Sequence, residues 1–207
     1  VLISVIVLYK LRETIYHELQ LLNSATDLIR SARNRLVFLT LTSNPGFAKA
    51  IQLKRWDLIN EFTAALTKKT KELENNKKGS MMIAMLSTET RQIFFKTKAS
   101  SLKNVEFRSE GGESQNGKFL YLEKSNRLTV RLIHAVAKIE NAEMWVWNVT
   151  KSDLFNENSD KVPPLSILIA DNRSAIVFYN APLLRGKDAP IDLRGRVIQS
   201  MDEVEAI

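Results

Sequence analysis

Leu165-Ser166-Ile167-Leu168-Ile169-Ala170-Asp171-Asn172-Arg173-Ser174-Ala175-Ile176-Val177-Phe178-Tyr179-Asn180 consists of two apolar runs separated by Asp171-Asn172-Arg173-Ser174. Runs rich in Ile and Val around a turn of short polar residues predict a hairpin of two buried strands. Upstream, Leu36–Thr42, Met81–Leu86 and Met144–Val149 have the same β-rich character. Between them lie stretches with apolar residues at three- and four-residue steps. Strands alternating with helices predict an α/β fold, a mixed sheet sandwiched between helices and covered on both faces.

Four helical stretches precede the hairpin. Leu8, Leu11, Ile15, Leu19, Leu22 and Ile29 form one stripe. Ser24-Ala25-Thr26-Asp27 suits a cap there, predicting a break between a leading helix and one over 25–34. A long helix follows Asn44-Pro45 and stops at Asn75-Asn76-Lys77-Lys78-Gly79. A third runs from Ser87 to about Leu102 and a fourth from Phe119 to about Asn141. Val105–Arg108 reads as an edge strand and Glu110–Lys118 as a loop. The last element is expected to be a helix over 195–206. Residues 1–24 form an N-terminal apolar segment and connector helix, and residues 25–207 one α/β domain.

Composition narrows the chemistry. The 207 residues include no cysteine and two histidines, His17 and His134. Disulfides, thiolate metal sites and cysteine nucleophiles are excluded, and a multi-histidine metal site within one chain with them. The net charge of +7 favours an anionic partner such as nucleic acid, a nucleotide or a membrane surface, although no long lysine/arginine run occurs. Val1–Tyr9 (VLISVIVLY) is apolar but well short of the roughly 20 residues that cross a bilayer. It reads as the end of a truncated membrane span, a buried strand, or the start of a packing helix. The expected location is cytoplasmic, with membrane tethering at the N-terminus as the variant.

The order helix, strand, helix, strand, long helix, strand, strand pair and closing helix resembles the phospholipase D-like superfamily. The entry Asp27-Leu28-Ile29-Arg30-Ser31-Ala32-Arg33-Asn34-Arg35-Leu36-Val37-Phe38-Leu39 is similar to the opening of many such domains, and the resemblance covers Leu22 to the C-terminus. The family signature is His-x-Lys-x-x-x-x-Asp, followed by a Gly/Ser-rich strand ending in Asn. With Asp171 on the signature Asp, Pro164 stands at the nucleophile and Ser166 at the lysine. Asn180 falls near the family Asn, behind bulky Phe178-Tyr179. Phosphoryl transfer of this kind needs an imidazole to attack and a cation to neutralise oxygens, and proline and serine supply neither. The resemblance therefore implies a non-catalytic member, similar to the effector or sensor domain of archaeal TrmB-type regulators. It would bind a small anionic ligand without a cofactor and dimerise through the N-terminal helix or the sheet.

Candidate ligand residues are Asp171, Arg173, Asn180 and Ser166, the pair Trp145 and Trp147 on one strand face, and Arg185 beyond the hairpin. Each has a plainer reading: Asp171 as a turn residue, the tryptophans as core, the arginines as solvated loop charges. No residue is assigned to catalysis or to a metal. Two other functions are open. One is nucleic-acid binding through the basic helix 49–78, or through a DNA-binding domain upstream of this chain. The other is a divergent hydrolase using Asp153, Glu157, Asp160 and Asp171.

Overall fold

The computed structural model describes residues 18–40, 44–99, 102, 105–108, 114–150, 165–179, 194–199 and 204. In chain order the elements are α1 (Glu18–Ser31), β1 (Arg35–Leu39), α2 (Phe47–Gln52), α3 (Trp56–Glu74) and β2 (Ser80–Leu86). They continue with α4 (Thr88–Ala99), β3 (Glu106–Arg108), β4 (Ser114–Asn116) and α5 (Gly117–Val136). Last come β5 (Asn141–Trp147), β6 (Leu165–Ala170), β7 (Ser174–Tyr179) and β8 (Arg194–Ile198).

Six strands form one mixed sheet in the order β5-β2-β1-β6-β7-β8. β5, β2 and β1 run parallel, joined by helical crossovers, and β1-β6-β7-β8 are antiparallel neighbours. The β6–β7 hairpin therefore lies within the sheet. Its turn carries Asp171 at φ 51° and Asn172 at φ 56°, the left-handed pair of a type I′ turn. Asp and Asn are the non-glycine residues that adopt this conformation most readily.

Alternation along the strands separates two faces. Leu36, Phe38, Met81, Ile83, Met85, Leu168, Ile176 and Phe178 share one core with the helices. Phe47 and Phe62 meet edge to face at 5.7 Å in its centre, as do Phe95 and Tyr121 at 5.8 Å. The opposite face carries a second, smaller cluster: Ala175, Val177, Ile198 and Val204. The helices α1–α5 all contribute to the first core, and the second includes Val204, itself a helical residue. The α/β class is as expected, and of the helical cover expected on the second face the described residues include Val204.

Several boundaries differ from the sequence reading, each for a local reason. α1 runs through Ser24–Asp27 without a break, because the Thr26 hydroxyl donates to the Leu22 carbonyl (2.9 Å) and remains within the helix. The long helix after Pro45 is two helices, α2 and α3, divided at Lys54, whose φ is 57°. Part of the expected 110–118 loop is β4, which pairs with β3. The expected C-terminal helix over 195–206 opens instead as strand β8, paired with β7. Gly195 permits that approach: a Cβ there would lie 2.2 Å from the Val177 carbonyl oxygen. Residues 1–17, with the apolar segment 1–9, lie outside the described residues, and no described helix is long and apolar enough to cross a membrane.

Candidate anion-binding groove

α3 and α5 each precede a parallel strand and lie side by side on the helical layer. Their outer faces enclose a continuous groove. One part, about 560 Å³, lies between Asn60, Thr63, Ala64 and Lys68 of α3 and Lys124 and Arg127 of α5. The adjoining part, about 300 Å³, lies between Leu66, Thr70 and Glu74 on one side and Leu132, His134 and Lys138 on the other. Thr67, Lys71, Leu128 and Arg131 border both.

Helical spacing produces this cationic wall. Lys124, Arg127, Arg131, His134 and Lys138 follow at steps of three and four residues, so they line one side of α5 and the turn after it. On α3 the same logic places Asn60, Thr63, Thr67, Lys71 and Glu74 in a row. Asn116 starts α5 by accepting from the Lys118 amide, which fixes the phase of the basic row. Arg127 pairs with Glu123 at 2.7 Å and Lys68 with Glu72 at 3.8 Å, both exposed contacts. Among the described residues, Lys71, Lys124, Arg131 and Lys138 make no ion pair. Hydroxyls contribute little selectivity, since Thr63, Thr67 and Thr70 each donate to a carbonyl of their own helix at 2.8, 2.8 and 3.0 Å. What remains is a track of solvated positive charge with an apolar floor at Leu66, Leu128 and Leu132.

Among the described residues, the sequence-derived ligand residues do not converge beyond Asp171 and Arg173. Asp171 sits where the N-terminal end of β1 meets the hairpin turn, and its carboxylate accepts the backbone N–H groups of Arg33 (2.6 Å), Asn34 (2.8 Å) and Arg35 (2.9 Å). Partial burial pushes its carboxyl up, but those three donors and the nearby Arg173 charge outweigh it and hold the group below the usual range. Arg33, Arg35 and Arg173 surround a shallow cavity of about 320 Å³ there, whose ring of amides is already filled by Asp171 itself. Ser166 lies towards the other end of β6, opposite Phe178, and is buried. Trp145 and Trp147 are three strands away on the outermost strand; Trp145 is 61% exposed, and Trp147 packs against the core. Asn180, Arg185, Asp153, Glu157 and Asp160 lie outside the described residues.

The C-terminal end of the parallel strands, where open α/β sheets hold ligands, is occupied by internal polar bonds. The Ser87 hydroxyl bonds to Thr90 Oγ1 (3.0 Å) and Asn148 Oδ1 (3.1 Å), and Thr90 donates to the Val149 carbonyl. Buried Arg91 donates to the Leu86 carbonyl, and burial pushes its guanidinium pKa down. The α5 half of the groove was readable in the spacing of Lys124, Arg127, Arg131 and Lys138. Its opposition to α3 was not, because helix pairing is absent from the spacing. No family model matches this chain, and no curated protein matches it either.

Proposed function

We propose that this chain is a non-catalytic binding module that grips the phosphate backbone of a nucleic-acid duplex along the α3–α5 groove. The observation that carries it is the basic row of α5 and its following turn, in which Lys124, Arg131 and Lys138 make no ion pair among the described residues, set against Lys71 across the groove. From Lys124 to Lys138 the row spans about 21 Å at the helical rise, the length of about six base pairs. Among the described residues no Phe, Tyr or Trp borders the groove, and the single imidazole of His134 is no extended stacking platform for successive single-stranded bases. Charges beside hydroxyls already committed to their own helix suit backbone contacts, which position a duplex without reading its sequence.

The narrower readings belong to this proposal. A phospholipase D-like fold is supported by the element order and by the hairpin next to β1. A regulatory rather than hydrolytic role is supported by Pro164 and Ser166 at the signature positions. The decisive experiment is a titration of a labelled duplex at several salt concentrations. Neutralising about four phosphates gives a log–log slope of about −3.6. No binding at low salt, or binding that salt leaves unchanged, overturns the proposal.

A further inference from the structure

Among the described strands β5 ends the sheet, and it is built unlike a guarded edge. Met144, Trp145 and Val146 are consecutive, apolar and 40%, 61% and 57% exposed. The strand contains neither the lysine nor the proline that commonly keeps an edge from pairing. The direction of its backbone groups follows from one bond: the Ser87 amide donates to the Trp147 carbonyl, so Trp147 faces β2. In a parallel ladder each residue directs its N–H and C=O to the same side, alternating along the strand. Asn141, Glu143, Trp145 and Trp147 therefore face β2, and Ala142, Met144 and Val146 present their N–H and C=O outward. Among the described residues nothing accepts or supplies those bonds.

We propose that β5 is the pairing edge of a homodimer, in which two copies join their sheets antiparallel about a two-fold axis through Met144. Met144 is the midpoint of Asn141–Trp147, so a second copy overlaps the whole strand without overhang. Met144 pairs with the partner's Met144, and Ala142 with the partner's Val146. Each such pair exchanges both backbone bonds, and every outward group of the strand is satisfied. Side chains fit the same register. Ala142, Met144 and Val146 share one face, so small meets large and thioether meets thioether across the axis. Glu143, the only ionisable residue of β5, stands opposite Trp145 and not opposite its own counterpart, so no like charges face each other. A foreign strand would gain the same backbone bonds, but the symmetry of phase about Met144 and the placement of Glu143 select a copy of this chain. This inference is independent of what the α3–α5 groove binds.

Two substitutions test it. The Met144 N–H makes no bond among the described residues, so Met144→Pro removes a donor only from the dimer. Met144→Cys introduces the single thiol of an otherwise cysteine-free chain. Paired residues of this type lie about 5.5 Å apart at Cα, within disulfide reach. The unaltered chain is expected to sediment as a dimer and M144P as a folded monomer by circular dichroism. M144C should oxidise to a covalent dimer well ahead of V130C, placed at an exposed site on α5. A monomer at concentrations up to about 0.1 mM, a dimer indifferent to M144P, or M144C cross-linking no faster than V130C overturns the proposal. If M144P does not fold, the comparison of M144C with V130C decides alone.

Discussion

The carboxylate of Asp171 accepts the backbone amide of Asn34 at 2.8 Å, across 137 positions of sequence. With the amides of Arg33 and Arg35 it ties the turn of a late hairpin to the linker that feeds β1. The β1–β6 ladder continues the tie, since the Asp171 amide donates to the Arg35 carbonyl (3.0 Å). Asp171, a candidate ligand residue in the sequence, works here as a clasp between two halves of the sheet.

Asp171→Asn keeps a residue that tolerates the left-handed conformation but removes the charge from the clasp. Charge-assisted bonds at a partly solvated site make the expected loss about 1–2 kcal/mol at neutral pH, read by urea unfolding. The folded-state pKa is lowered, so the stabilisation is full above the unfolded value and disappears as pH falls through the folded one. The gap between the chain and D171N should therefore close below about pH 4. A gap that widens in acid would contradict the clasp.

Arg131→Glu and Lys71→Glu, on opposite walls of the groove, should each weaken duplex binding about tenfold at low salt and make the salt slope shallower. Lys96→Glu on α4, outside the groove, is the control. Equal effects at all three sites would indicate net charge rather than the groove.

Lys69 is buried in α3, and its ammonium donates to the Ala32 carbonyl at the end of α1 and to Glu72. The charge caps the negative end of the α1 dipole. Lys69→Met preserves the stem and removes the donor, at an expected cost of about 1–3 kcal/mol in thermal or urea unfolding. Unchanged stability would mean that water replaces the ammonium at that carbonyl.

Gly195→Ala places a methyl group against the Val177 carbonyl and the Leu21 side chain. The backbone cannot yield without opening the β7–β8 pairing, so a loss of roughly 2 kcal/mol or more is expected. Hydrogen exchange should report it first at Val177 and Tyr179.

Turnover on model phosphodiesters should be absent. Activity that Asp171→Asn abolishes would restore a catalytic reading of the hairpin.

Much of the fold was readable in local pattern. The hairpin, β1, β2 and the periodic core faces of α3 and α5 depend on residues close in sequence, whose alternation is set by the strand or helix they occupy. β8 was misread as helix because Gly195-Arg196-Val197-Ile198 is ambiguous by itself, and its pairing with β7 decides it. The candidate ligand residues came from the signature alignment, from the shared strand face of Trp145 and Trp147, and from cations flanking the hairpin. The structure instead distributes Asp171, Ser166 and Trp145 over opposite ends and edges of the sheet.

By itself the sequence determined the α/β class, the exclusion of cysteine chemistry and the lack of any His-x-Lys-x-x-x-x-Asp motif. These are properties of composition and short-range periodicity, and they survive any arrangement of the elements. Only the tertiary structure decided that the cations on α5 meet those of α3 across a groove, that Asp171 is bound by amides from the start of the domain, and that β5 is an exposed apolar edge. Each joins residues tens of positions apart or depends on which strand lies outermost. Those relations are set by the packing of the whole chain, because the free energy of burying the core chooses the neighbours and local preference does not.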